Sequence, residues 1–539
     1  MRNAILMLGL LACSPVEAAG ADAVRLVDVF PGDGPDDALD QYPSGAAVID
    51  GIVFFSIFDD EHGRELWRSD GTPEGTRRVR DLAPGPASSS PEALTAIGRT
   101  LYFGASDPEV GCRLWRSDGT TAGTRALATF QDGPFGCFNA VLAEYDGPSH
   151  FTAVGSSVFF TARDAEHGRE LWRTDGTARG TRLVRNIAAD SVDGPLHSRP
   201  RGLAAVGDQL LFIAWDEAHG EELWRSDGTE TGTALVRDIG PGTDGGLFAS
   251  AELAVTEGIA VFAAGDAYGY EPWRSDGSEV GTYRLADLSA GAFSSMLSPG
   301  RLAMPVLAVD GEVFLWAHGG AAAGFGVWRT DGSAPPQLVG ALPPGALHVR
   351  PVAAGAAAYF AWSDVAGPAI WRADAAGTAF ARVIPRAPLG SPIGGFLAVG
   401  DLLVFLAHDA VHGCALWRSD GTAAGTGVVA DVNPAAFDCS YSSGLWTAAT
   451  ADHVLFEGND GVTGVEPWAL PIEALAVLPA CAGDCDGNAQ VGIDELVRGV
   501  GIALGGTPTA TCPAFDGDGD NVVSIAELIT AVTTALGGC

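Results

Sequence analysis

The chain has 539 residues and a formal net charge of −36, with 67 acidic against 31 basic residues, and every basic side chain is Arg. That charge disfavours nucleic acid, whose phosphates it repels, and adhesion to anionic lipid, while it suits divalent cations and an acid-tolerant, soluble, extracellular life. With 47% apolar and only 18% charged residues the chain is globular, and its length suits one large repeat domain plus a small module.

The first predicted element is a secretory signal peptide over residues 1–18. "MRNAILMLGLLACSPVEAAGADA" carries one Arg, an apolar run from Ala4 to Leu11 and a small-residue exit at Val16-Glu17-Ala18. The alternative takes "LLAC" as a lipoprotein box acylated at Cys13. No later apolar run reaches the ~18 residues that cross a bilayer, so no transmembrane segment is expected and the mature chain is secreted or held at the cell surface. Cysteine usage agrees. Cys112 and Cys137 stand 25 residues apart, as do Cys414 and Cys439, and Cys112 and Cys414 occupy the same slot of a repeat. Two equivalent pairs at one spacing point to two disulfides in an oxidising compartment.

From residue 24 to 470 one text recurs. Its Trp falls at Trp67, Trp115, Trp172, Trp224, Trp273, Trp328, Trp371, Trp417 and Trp468, nine copies at intervals of 43 to 57 residues, a propeller-like period. Residues 203–242 show the pattern: "LAAVG", "QLLFIAWD", "EELWRSD" and "TALVRDIGPG" are four β-rich runs separated by turn residues, without helical periodicity. Four antiparallel strands per copy make a blade, and a blade buries both faces only against neighbours, so the copies are expected to ring up into a nine-bladed β-propeller. The last copy stops at "EPWAL" (466–470) without a fourth strand, while "VRLVDVFPG" (24–32) matches the fourth-strand texts "RRVRDLAPG" and "ALVRDIGPG". The opening strand is therefore expected to complete the final blade. In "RSDGT" the Asp caps backbone N–H groups and Gly takes a positive φ, which makes the motif a hairpin turn; the Trp is expected to pack between blades.

The text Glu-Leu-Trp-x-x-Asp-Gly-Thr-x-x-Gly-Thr, at Glu65 to Thr76 and Glu222 to Thr233, resembles the bacterial ELWxxDGT repeat family, which implies an exported, β-propeller-like protein with no established chemistry. Copies six and seven, "VWRTDGSAPP" (327–336) and "IWRADAAGT" (370–378), lose the Glu and weaken the turn, as drift in a scaffold would.

Catalytic candidates in the ring are repeat residues. His62, His167, His219 and His412, with Asp59, Asp164, Asp216 and Asp409, recur between second and third strands but are missing from several copies, so they are expected to shape turns rather than hold metal. Glu65, Glu170, Glu222, Glu271 and Glu466 recur one per blade, whereas a glycosidase needs two carboxylates in one pocket. No nucleophile elbow, HExxH or phosphate loop is present. The insertion 130–151, with Asp132, Glu144, Asp146 and His150, is a candidate binding loop held by Cys137.

After a linker over 471–480 the text changes. "DCDGNAQVGIDELVRGVGIALGG" from Asp484 and "DGDGDNVVSIAELITAVTTALGG" from Asp516 are offset by 32 residues. The second places Asp516, Asp518, Asp520, the Val522 carbonyl, Ser524 and Glu527 at positions 1, 3, 5, 7, 9 and 12 of an EF-hand type Ca²⁺ loop. The first offers Asp484, Asp486, Asn488, the Gln490 carbonyl and Glu495, and is expected to bind Ca²⁺ more weakly because Gly492 brings no side chain. Leu496, Val500, Leu504 and Leu528, Val532, Leu536 form matching stripes expected to pack the two helices on each other. The duplicated loop-plus-helix text is similar to a dockerin, covering 481–539, which implies docking to a cohesin-like partner; Ile493-Asp494 and Ile525-Ala526 depart from the usual Ser/Thr contacts. Cys481, Cys485, Cys512 and Cys539 are expected to form two disulfides of open connectivity.

The functional expectation is an exported, non-enzymatic β-propeller that binds an extracellular protein or polysaccharide and carries a calcium-binding module, with a secreted carbohydrate-active enzyme bearing a dockerin as the alternative.

Overall fold

The computed structural model describes residues 23–27, 44–131, 137–139, 144–145, 147–188, 197–243, 245–248, 250–289, 294–296, 304–320, 324–364, 367–383, 390–409, 412–422, 425–432, 447–460, 465–476, 483, 485, 491–515 and 522–537. The protein is mainly β. Each of the first eight repeat copies folds as one four-stranded antiparallel sheet, and the ninth sheet takes three strands from the last copy and one from the start of the chain. In blade 1 the strands are Ser44–Ile49, Ile52–Asp59, Gly63–Ser69 and Arg77–Arg80, side by side in chain order. Blades 2 to 8 follow the same order, opening at Glu92, Ser149, Arg201, Ala254, Val306, Gly345 and Gly390.

The second strands show why the blades must associate. "IVFFSIFD" and "QLLFIAWD" each have five consecutive buried residues, and a pleated strand buried at successive positions is covered on both faces. The cover comes from the neighbouring blades. Leu66, Val79 and Phe54 of blade 1 form one apolar cluster with Leu101, Phe103 and Trp115 of blade 2. Equivalent clusters join blades 2 and 3, 3 and 4, and so on to 8 and 9. A further cluster places Val53, Phe55 and Ile57 of blade 1 against Ala448, Leu455 and Ala469 of blade 9. The series closes on itself. The motif Trp lies at these junctions: Trp115 against blade 1, Trp224 against blade 3 and Trp67 against blade 9.

Closure also has a hydrogen-bonded component. Blade 9 supplies Thr447–Ala449, His453–Asn459 and Val465–Pro471, and its fourth strand is Val24–Arg25, with Val24 opposite Ala469 and Arg25 opposite Trp468. Leu26 N–H continues the ladder to the Pro467 carbonyl at 2.9 Å. The opening strand thus completes the last blade as its text predicts, while residues 28–32 lie outside the described range. The first strands of successive blades are neighbours all the way round.

Arginine ties blade to blade. The Arg after the motif Trp reaches the turn of the next blade: Arg68 donates to the Gly119 carbonyl at 3.2 Å, Arg116 to Gly176 at 3.0 Å and Arg225 to Gly277 at 3.1 Å. Fourth-strand arginines make a second tie. Arg80 donates to the Thr124 carbonyl at 2.7 Å and lies over the Trp115 ring, and Arg237 repeats this on Thr282 and Trp273. Blade 9 has Ala469 after its Trp468, so the seam to blade 1 has no arginine of this kind.

The C-terminal module has two helices, α1 (Ile493–Ala503) and α2 (Ile525–Gly537), which touch each other. Among the described residues no helix is long and apolar enough to cross a membrane.

If arginine ties carry the junctions, Arg116→Ala leaves the Gly176 carbonyl without its donor and lowers stability by about 1.5–3 kcal/mol, read as a lower urea midpoint. Arg116→Lys, lacking the fork, does not restore it; an unchanged midpoint in the Ala variant would show the tie to be incidental.

Candidate functional site

The Asp-Gly-Thr motif is consumed by its own turn. Asp70 accepts from the Thr72 N–H at 3.0 Å and from its hydroxyl at 2.7 Å, Thr72 Oγ1 accepts from Gly75 N–H, and Thr76 donates back to the Thr72 carbonyl. Gly71 holds φ at +94°, and a Cβ on Gly75 would stand 1.9 Å from the Asp70 carboxylate. The hydroxyl donor holds the Asp70 carboxyl below its ordinary range, as equivalent donors do for Asp118, Asp175 and Asp227. Blades 6 and 7 keep a capped turn by other means: Asp331 accepts from Ser333 and Asp374 from Thr378.

The histidines are likewise bound to their own loops. Asp59 accepts from His62 N–H at 2.8 Å and meets its Nδ1 at 3.0 Å; Asp164 and His167, and Asp216 and His219, repeat the arrangement. Asp409 lies at the end of a second strand of the same kind, opposite Gly413. Among the described residues no three His, Cys, Asp or Glu side chains converge as a metal site.

The recurrent glutamates have a role that the sequence reading missed. Glu65 is fully buried and accepts from the Leu82 and Ala83 N–H groups and from the Ser89 hydroxyl, all on the connection from blade 1 to blade 2. Glu170 binds Ile187, Ala188 and Ser198 in the same way, and Glu271 binds Leu288 and Ser295. Glu222 accepts from Gly240 and Gly246, where the serine is replaced by glycine. Each carboxyl thus pins the segment leading into the next blade. Burial pushes Glu65, Glu170 and Glu222 up to about 7, against the pull of these donors, and raises Glu271 as well. The missed signal was the Ser placed 24 to 28 residues after the Glu in blades 1, 3 and 5.

The insertion after blade 2 is tied by the disulfide Cys137–Cys112, at the expected spacing, to the third strand of that blade, and carries a two-stranded hairpin, Phe138–Asn139 with Glu144–Tyr145. Asp132 and Asp146 lie outside the described residues. His150 sits with φ +56° at a bulge in the first strand of blade 3, its Nδ1 3.1 Å from Ser149 Oγ. Cys414 is disulfide-bonded; Cys439 lies outside the described residues.

In the C-terminal module Asp484, Asp486, Asn488, Gln490, Asp516, Asp518 and Asp520 lie outside the described residues, as do Cys481 and Cys539. Glu495 is buried, with one carboxylate oxygen accepting from Cys485 N–H at 2.6 Å and the other from Gly492 N–H at 2.7 Å. Glu527 accepts from Ser524 N–H at 2.7 Å and returns its own N–H to the Ser524 hydroxyl, a capping box that starts α2. Cys485 pairs with Cys512. The two helices touch as expected, but the face expected to join them is corrected. Val500, Leu504 and Val532 face solvent, and the centre is Phe515, Cys512, Val523, Ala531 and Ile502, with Leu496 and Leu528 half-buried at its edge. Small side chains explain the difference: α1 meets Phe515 through Gly499, where a Cβ would stand 2.3 Å from the ring, so the apolar stripe turns outward.

No protein-family model matches the chain, nor does any curated protein. Among solved structures the fold is similar to a puromycin hydrolase, at 16% identity over 70% of this chain and 60% of that chain with a TM-score of 0.36. It is also similar to a prolyl endopeptidase, at 10% identity over 69% and 55% with a TM-score of 0.39. A puromycin-hydrolyzing peptidase of Mycobacterium tuberculosis shows 12% identity over 68% and 57% with a TM-score of 0.37. The chain spans less than two thirds of the length of these proteins, and the likeness is one of fold. These solved structures are of a hydrolase and two peptidases, and on that finding the expectation of a non-enzymatic binding protein is corrected. Repeat residues engaged in turns and junctions say nothing of whether such a ring serves an enzyme.

The buried glutamates set a pH dependence. Because their folded-state values stand above the ordinary carboxylate value, the folded chain holds extra protons between about pH 4.5 and 7. Their contribution is complete below that window and lost as pH rises through about 7. The turn aspartates, held low, contribute above the ordinary value and lose their contribution only in stronger acid. Melting temperature is therefore expected to fall from pH 5 to pH 8, with a shallower fall in Glu170→Gln. The slope is the readout, and a rise over that range would contradict the assignment.

Proposed function

We propose that residues 481–539 form a dockerin-like, calcium-stapled docking module attached to a ring of ELWxxDGT type. Its two loops would take Ca²⁺ through Asp484, Asp486, Asn488, the Gln490 carbonyl and Glu495, and through Asp516, Asp518, Asp520, the Val522 carbonyl, Ser524 and Glu527. These are hard oxygen donors in the order that Ca²⁺ loops use. Both terminal glutamates fit this reading, since each carboxylate is turned onto the backbone of its own loop. Bound calcium would neutralise the clustered carboxylates and add binding energy to a fold of some 59 residues, too few to build a large apolar core.

The observation that carries docking is the outward stripe. Ile493 and Val497 of α1 and Leu504 at its C-cap are 82%, 66% and 81% exposed, and Ile525 and Ile529 of α2 are 77% and 61% exposed. Ile525 and Ile529 are the counterparts, at the 32-residue offset, of Ile493 and Val497. Branched aliphatic side chains repeated on two helix faces are an unusual thing to leave in water, and a protein partner with an apolar surface covers them at a favourable free energy. A cohesin-like protein is the proposed partner, and the cysteine pairs support a setting outside the reducing cytosol.

Calorimetric titration of the full chain with Ca²⁺ tests the reading. The wild type is expected to bind, and Asp516→Ala to lose one event. A cohesin domain is then expected to bind with Ca²⁺ and not with a chelator. Absence of heat at millimolar Ca²⁺ would refute the module assignment.

A further inference from the structure

The two halves of the C-terminal module are alike in text and differ in one constraint. In the first half, Cys485 stands between Asp484 and Asp486, at the second position of the acidic loop; the corresponding residue of the second loop is Gly517. Cys485 is bonded to Cys512, 27 residues on, with the two Cα atoms 4.8 Å apart. Cys512 is fully buried in the apolar centre beside Phe515, Val523 and Ala531. The bond therefore anchors Cys485 to the buried centre of the module.

The same residue holds the terminal carboxylate. Cys485 N–H donates to Glu495 Oε1 at 2.6 Å while Gly492 N–H donates to Oε2 at 2.7 Å, so each oxygen has its own backbone donor, and Glu495 is 3% exposed. In the second half Glu527 has the local donor, Ser524 N–H, and no cysteine in its loop. The first loop also lacks a side chain at Gly492, where the second has Ser524, so it has more to gain from a fixed carboxylate. A ligand group held in place before the ion arrives loses less freedom on binding, and outer contacts that orient a ligand commonly decide metal affinity.

We propose that the Cys485–Cys512 disulfide positions Glu495 for Ca²⁺, so that calcium affinity at the first loop depends on this bond. Cys485 and Cys512 are positioning residues: they act through the Cys485 backbone and touch no ion. The inference rests on the calcium reading above.

The test titrates the full chain with CaCl₂ in a calorimeter, with Glu527→Gln present throughout so that the first loop reports. Cys485→Ser/Cys512→Ser is compared with the disulfide-bonded parent, and proteolysis within 481–539 at saturating Ca²⁺ shows whether the module folds. The expected result is at least tenfold weaker binding in the double variant, with full protease resistance once Ca²⁺ saturates. Equal affinities would overturn the proposal. Digestion of the double variant even at saturating Ca²⁺ would also overturn it, making the bond a requirement of the fold. No heat from the disulfide-bonded parent, together with none from the wild type, would instead remove the calcium reading itself.

Discussion

The burial of apolar surface between neighbouring blades is the interaction on which the ring depends. A blade here has two apolar faces and a second strand covered on both, so no blade holds a core by itself. Nine clusters, each drawn from two adjacent blades and the last joining blade 9 to blade 1, convert this need into a closed shape. At roughly 25 cal/mol per Å² of apolar surface, each fully buried Phe of a second strand, such as Phe55, Phe103 or Phe212, contributes on the order of 2–3 kcal/mol through a neighbour rather than through its own sheet. Closure follows because an open array would leave two such faces in water. The strand Val24–Arg25 then covers the third strand of blade 9, which would otherwise be left as a bare edge.

The motif serves this arrangement letter by letter. Trp fills the junction, the following Arg reaches the next blade, Ser69 meets Thr76 across the turn at 2.7 Å, and Asp70 caps it. The Glu of the motif lies on the side of the sheet where the chain departs for the next blade and pins that departure. Residues that recur from blade to blade are thus answered by a physical demand that recurs from junction to junction. The motif residues described above are engaged in turns and junctions, and that is why the ring text alone could not say whether the ring belongs to an enzyme.

Much of the architecture was legible. The 43 to 57 residue period, the four β runs per copy and the likeness of residues 24–32 to a fourth strand lead directly to the observed ring, and the spacing of Cys112 and Cys137 to their bond. What was not legible depended on contacts distant in sequence. The partner of Glu65 is a serine 24 residues later, on a connection whose course no local pattern reveals. In the C-terminal module the four-residue spacing of Val500 and Leu504 rightly predicts a helix with an apolar stripe. The direction of that stripe was decided instead by Gly499 and Ala531, which let α1 and α2 approach Phe515 on their other side. Periodicity tells that a face exists; only the size of its neighbours tells which way it turns.

Amide hydrogen exchange tests the closed ring most directly. The second strands at the seam, Ile52–Asp59 and His453–Asn459, are expected to be as protected as Gln209–Asp216 on the far side of the ring, because each is covered on both faces. Protection that falls away from the middle blades toward blades 1 and 9 would describe an open stack fraying from its ends, and would contradict the account.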